Sequence, residues 1–238
     1  MANLYFLFDG KNSLDYSIRM LRPMEFSAPV PRIEKEPVPA RNGEVLRYDQ
    51  SYENMTASAN CYVLSWDIPT ALARANEFLL ENKGYLRLET SLEPDYFRLA
   101  AVTQGVLTQQ TAQRYAPFQI QFTCKPQKFL KLGEEAVSLS TPGSIHNPTP
   151  YTAAPLITVY GTGEGSVTVG ARTVAFTAID DEITIYCESG ESYHVSPDDP
   201  RDSVTTGYIF PALDPGENNV SWSGGISKVK VIPRWFVL

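Results

Sequence analysis

The chain has 238 residues, enough for one large domain or two ordinary ones, and a chain of this size buries about 70 per cent of its unfolded surface without needing a disulfide or metal staple. Hydrophobic residues at 43% and charged residues at 20% describe a globular protein, and 18 prolines with 15 glycines imply many turns and a β-rich fold. A net charge of -7, with Lys125, Lys128 and Lys131 as the only clustered lysines, excludes a phosphate-tracking nucleic-acid binder, and no apolar run approaches the roughly 20 residues that span a bilayer.

Residues 4–8 form an apolar run closed by Asp9-Gly10, and Tyr16, Ile18 and Met20 alternate with Ser17 and Arg19. Residues 4–21 therefore read as two short strands around a turn. The first run has no basic lead-in and no small-residue cleavage site, which reads as a strand rather than a signal peptide.

Residues 29–54 follow, PVPRIEKEPVPARNGEVLRYDQSYEN. Pro29, Pro31, Pro37 and Pro39 fix φ, remove backbone donors and bias the preceding residues toward extended conformations, so a helix is excluded here. Asn42-Gly43 tolerates the positive φ of a two-residue hairpin turn, with Val38 on one side and Val45-Leu46 on the other. Nine charges of both signs (Arg32, Glu34, Lys35, Glu36, Arg41, Glu44, Arg47, Asp49 and Glu53) keep the segment in water or against a polar surface. It reads as a hairpin arm or, alternatively, as a long solvated loop.

Residues 61–66 are another apolar run. Asp67 is placed as a helix N-cap, or else as a surface turn residue, with Pro69 in the first turn. Leu72, Ala75, Phe78 and Leu79 then fall on one helical face, predicting a helix over about 68–82 that Gly84 ends. Strands follow from Tyr85, over 96–106 and over 118–124, where Phe118, Ile120 and Phe122 alternate with glutamines and Thr123. Lys125-Pro126-Gln127 is expected to stop the last of these. Residues 133–155 are rich in Gly, Ser, Thr, Asn and Pro, which places a domain boundary near 134 and divides the chain into 1–134 and 135–238. In the second part seven short apolar runs (156–160, 166–169, 173–179, 182–187, 208–213, 219–222 and 228–231) alternate with Gly, Asp or Pro turns, predicting an antiparallel β-sandwich.

Chemistry-bearing patterns are few. Cys61, Cys124 and Cys187 are odd in number, form no C-x-x-C pair and lie in or beside apolar runs, so they read as buried thiols. His146 and His194 stand far apart with no ligand at metal spacing. No Gly-x-Ser-x-Gly elbow occurs. In Gly161-Thr162-Gly163-Glu164-Gly165 the third glycine of a dinucleotide fingerprint is missing and a strand follows, so the run reads as a hairpin turn. Asp180-Asp181-Glu182, and Asp198-Asp199 with Asp202, are residue types able to bind calcium or serve a glycosidase, and they read as turn and loop residues. No catalytic, metal or cofactor site is expected.

Taken in order, FLFDGKNS, PVPRIEKEPVPARNG, PFQIQFTCKPQ, Asn147-Pro148, LITVYGTGEGSVTV and GENNVSW resemble the distal tail protein family of long-tailed phages over nearly the whole length. The resemblance implies a mainly β protein: an N-terminal β-sandwich-like domain with one α-helix that forms a hexameric ring, then a C-terminal galectin-like antiparallel β-sandwich. It implies a non-enzymatic virion protein at the phage tail tip, assembled in the host cytoplasm. Its partners would be its own copies, the tail tube protein, the tail tip or tail-associated lysin, and receptor-binding proteins. In such a ring the arm would reach the neighbouring subunit, with Arg32 and Arg41 making charge-assisted contacts and Gly43 holding the turn. A carbohydrate-binding tail module is the alternative. The galectin His-x-Asn-x-Arg group is absent, since His146-Asn147-Pro148 has the wrong spacing. Trp222 and Trp235 remain as a sugar platform or as core residues. A third reading, a cell-wall enzyme, would need a carboxylate pair or metal set that the sequence does not present.

Overall fold

The computed structural model describes residues 4–81, 83–104, 113–207 and 209–238, with the side chain of Gln50 excepted. The chain divides into two compact units, Met1–Lys128 with Leu238, and Phe129–Val237. It is mainly β, with several antiparallel sheets and a single α-helix among the described residues.

In the first unit Phe6–Phe8 (β1) turns through Asp9 and Gly10, at φ 52° and 74°, into Lys11–Asn12 (β2). Positive φ at both central residues matches the right-handed twist of the flanking strands, so this Asp-Gly pair makes a two-residue hairpin. A short 3-10 turn, Ser13–Tyr16, interrupts the expected second strand before Ile18–Phe26 (β3). The hairpin Pro31–Pro37 (β4) and Glu44–Tyr52 (β5) precedes Met55–Leu64 (β6) and the helix Ile68–Leu80 (α1). Leu86–Thr90 (β7), Glu93–Val102 (β8) and Tyr115–Leu130 (β9) complete the unit. Val106, at the end of the expected 96–106 strand, and Asn82, at the end of the expected helix, lie outside the described residues.

Apart from β4 and β5, these strands form one antiparallel sheet in the order β2-β1-β7-β8-β9-β6-β3, and its inward residues share one core with α1. The helix forms for the anticipated reasons. The Asp67 carboxylate accepts from Thr70 N–H (3.2 Å), Pro69 occupies the first turn, and Ala71, Ala75, Phe78 and Leu79 enter the core with Leu72 partly buried against it. Phe78 stacks on Tyr16 with centroids 4.2 Å apart and lies 6.1 Å from Phe6.

Two expectations for this unit are corrected. The 61–66 run is the end of a longer strand: β6 starts at Met55, its inward face continues through Ala57 and Ala59, and it stops at Leu64, leaving Trp66 exposed with the Arg114 guanidinium over its ring. Nor does Pro126 end β9. Pairing with β6 finishes at Cys124, so the missing proline N–H falls where no ladder bond to β6 is lost.

The second unit contains Val137–Leu139 (β10), Gly143–Asn147 (β11), Leu156–Val169 (β12), Arg172–Tyr186 (β13), Glu191–Tyr193 (β14), Thr205–Thr206 (β15), Gly216–Ile232 (β16) and Phe236–Val237 (β17). The central order is β10-β16-β12-β13-β14, with β11 also on β16 and β15 also on β13. Residues 133–155, whose Gly, Ser, Thr, Asn and Pro content placed the domain boundary, thus hold two strands. Residues 209–213 are not a strand and touch the fold through an Ala153–Leu213 bridge, while Tyr208 lies outside the described residues.

Six of the seven expected runs merge in pairs into β12, β13 and β16. Gly161 to Gly165 is no hairpin turn: it is the middle of β12, paired with Asp181, Asp180 and Ile179 of β13. Asp180-Asp181 is likewise interior to β13, with Asp181 at φ 69° rather than in a turn between strands. The register shifts between Gly161 and Gly165 against both neighbours. A bulge bends a strand and adds twist. Both halves of each long strand consequently send residues into one core: Ile157 and Val159 with Val167 and Val169, Phe176 with Ile183 and Ile185, Val220 with Val229 and Val231. One set of bent strands supplies both layers of a β-sandwich.

Candidate functional site

The candidate surface is the arm formed by β4 and β5, a two-stranded sheet with no third strand among the described residues. Its register places Ile33 opposite Tyr48 and Lys35 opposite Leu46 on one face, and Glu34 opposite Arg47 and Glu36 opposite Val45 on the other. Leu46 and Tyr48 are exposed, so the first face is an uncovered apolar stripe flanked by Lys35. On the other face Arg47 pairs with Glu36 at 2.8 Å, a solvent-exposed pair that contributes at most about 1 kcal/mol.

The two-residue Asn42-Gly43 turn is not formed. The ladder ends at Pro37 opposite Glu44, and residues 38–43 make a six-residue loop. Val38 C=O accepts from Arg41 N–H at 3.2 Å, with Pro39 second and Ala40 third at φ 59°, the geometry of a type II turn. Proline's fixed φ favours that position, so the Pro39 turn prevails over Asn-Gly. Gly43 nevertheless takes φ 85° with open space around it. Arg32 and Arg41 are both exposed on the arm.

Trp235 is only 9% exposed and sits in the core of the second unit with its indole N–H unpartnered, whereas Trp222 is half-buried against that core. The structure does not bring their rings together on a free surface. Asn147 is buried. Its amide donates to the carbonyls of Tyr151 and Leu213 (2.9 Å each) and its oxygen accepts from Thr149 N–H and Oγ1, so it pins its own loop.

The titratable clusters are occupied by each other. His194 Nδ1 and Arg201 both approach Asp199 at 3.2 Å, Asp202 accepts from Ser192 N–H and Oγ, and His146 faces Glu217 at 2.9 Å. In the first unit Glu93 meets Arg98, and Lys128 at 2.9 Å; burial opposes its ionisation, but these two bonds outweigh it and hold the carboxyl below its ordinary range. Among the described residues no three His, Cys, Asp or Glu side chains are arranged to hold a metal ion, and no helix is long and apolar enough to cross a membrane.

Cys61, Cys124 and Cys187 are free and buried, and burial pushes their thiols up to about 12, about 11 and about 12. All three are expected to resist a disulfide reagent at pH 8 in the native protein and to react together on unfolding, read by thiol titration with and without denaturant. Because the folded values lie above the ordinary thiol value, the native state holds more protons at high pH. Stability is unaffected below about pH 8.5 and falls as pH rises from there toward the folded values.

The first unit is thus an antiparallel sheet packed on one helix and carrying an exposed two-stranded hairpin, and the second is a β-sandwich of bent strands. No protein-family model matches the sequence, and no curated protein matches it. Its fold does match a solved one: the crystal structure of the SPP1 Dit (gp 19.1) protein, a paradigm of the hub adsorption apparatus in phages infecting Gram-positive bacteria, aligns over 100% of both chains with a TM-score of 0.63 and 13% sequence identity. The fold is therefore Dit-like over its whole length.

Proposed function

We propose that this protein is a structural phage tail component, a distal hub subunit that forms a ring at the end of the tail tube and joins it to the tail tip or receptor-binding apparatus. The Dit-like fold over the full chain carries this reading, since the solved protein belongs to a hub adsorption apparatus. The chain would work in the virion with copies of itself, six to a ring, and with tail tube, tip and receptor-binding proteins.

The arm supports a ring in particular. An isolated two-stranded hairpin is marginally stable at best in water, and this one leaves Leu46 and Tyr48 uncovered. In a closed ring each subunit offers one surface to a different surface of the next, and a laterally reaching hairpin adds area toward the roughly 1,000 Å² that a stable interface needs. In this reading the exposed Arg32 and Arg41 would make charge-assisted contacts with the neighbouring subunit.

Replacing residues 33–48 by a two-residue glycine turn keeps the base of the hairpin, where Pro31 faces Tyr52. Negative-stain class averages of the unaltered chain at high concentration, alone and with tail tube protein, are expected to show sixfold rings. The shortened chain is expected to give monomers with unchanged circular dichroism. Unchanged rings would remove the arm from the interface, and an unaltered chain that forms no ring in either condition would refute the ring itself.

A further inference from the structure

The second unit carries a cavity that the ring reading does not use. It holds about 390 Å³ and is lined by Tyr186, Glu191, Ser192, Tyr193, Pro197, Pro200 and Asp202. The volume lies at the small end of the range for ligand sites, about 300–1,000 Å³. Across the β13–β14 ladder Tyr186 pairs with Glu191 and Thr184 with Tyr193, so Tyr186, Glu191 and Tyr193 point to one face of the sheet while Ile183 and Ile185 enter the core on the other. The chain then turns at 194–199 and returns at Pro200, bridged to Tyr193, which closes the cavity's far side with two prolines.

The wall is pre-ordered. Tyr186 donates its phenol to Glu188 Oε2 (3.0 Å), the same oxygen accepts from Arg234 (3.0 Å), and the Arg234 guanidinium lies 4.7 Å from the Tyr186 ring centre. Asp202 is fixed through Oδ1, which accepts from Ser192 N–H (2.6 Å) and Oγ (2.9 Å), leaving Oδ2 for another donor. Glu191 is steadied by Ser189 Oγ at Oε2 (2.9 Å), leaving Oε1. Side chains held in this way lose little entropy when a ligand arrives.

The chemistry of the lining selects the ligand. Two carboxylates accept hydrogen bonds and donate none, and no lysine or arginine is among the described residues that line the cavity, so the lining disfavours an anion. Aromatic and proline faces offer flat apolar surface beside these acceptors. A pyranose ring has the complementary character, with C–H groups on one face and hydroxyl donors at its rim. We propose that this cavity is a binding site for a neutral saccharide, stacked on Tyr193 with hydroxyls donating to Glu191 and Asp202.

The test uses the full chain and saturation-transfer NMR with glucose, galactose, rhamnose and N-acetylated hexosamines, and with choline chloride as a cationic comparator. At least one sugar is expected to show transfer, falling tenfold or more in Tyr193→Ala and severalfold in Glu191→Gln, with both variants folded by circular dichroism and Trp222→Ala unaffected. No transfer from any sugar, transfer that survives both cavity substitutions, or binding of choline in place of sugar would overturn the proposal. The proposal does not rest on the ring: the same variants are expected to assemble like the unaltered chain, so failure of the site and failure of the ring are read separately.

Discussion

Gly225→Ala is expected to prevent the second unit from folding or to cost it more than about 3 kcal/mol, the upper end of ordinary overpacking. A methyl at Gly225 would land on the Thr162 carbonyl oxygen, one at Gly161 on the Gly225 carbonyl, and one at Gly224 on the Glu164 carbonyl. Each obstacle is backbone in a paired strand, so no rotamer change relieves it. The close approach of β12 and β16 at their register shift depends on the absence of a Cβ on both. Gly163→Ala is the matched control. Gly163 has φ 79° but nothing within 4 Å, so it is expected to cost only about 1 kcal/mol of backbone strain. Urea denaturation of the two variants separates the effects. Equal midpoints would mean that close approach does not set the bend.

Phe122→Ala is expected to destabilise the first unit by about 3–5 kcal/mol, against a total of roughly 5–15 kcal/mol for a domain. Phe122 is fully buried, with Phe6 edge-on at 5.6 Å and Phe8 tilted at 5.6 Å, and these rings also contact Phe78 of α1. Removing the ring leaves a cavity between β9, β1 and the helix that three rigid aromatic neighbours cannot collapse to fill. Hydrogen exchange resolves the result by residue. Protection is expected to drop across the first unit's core strands, while amides of β12, β13 and β16, which line a separate core, keep theirs. A uniform loss over both cores would show that the units unfold as one.

What the sequence by itself determined was governed by local chemistry. Asp67, Pro69 and the spacing of Ala75, Phe78 and Leu79 specify α1 because a cap, a first-turn proline and a 3.6-residue period act within a few residues of one another. The prolines of 29–54 bar a helix by covalent constraint, and the arm is extended as they require. Burial of all three cysteines also followed from their apolar neighbours.

Tertiary structure decided what pairing across the sheet controls. Met55 to Asn60 carries no bulky apolar pattern, since its inward residues include Ala57 and Ala59, and it becomes strand because β3 and β9 flank it. Asn42-Gly43 had the right turn chemistry, but Pro37 and Pro39 ended the ladder before it. Tyr186 and Tyr193 flank Gly190 in sequence as ordinary hairpin residues, and only the β13–β14 register with the return of Pro200 makes them walls of one cavity. The same holds for Gly161 and Gly225. Glycines look locally like turns, because the sequence shows only that no side chain is present. The fold shows that another backbone occupies the space a side chain would need.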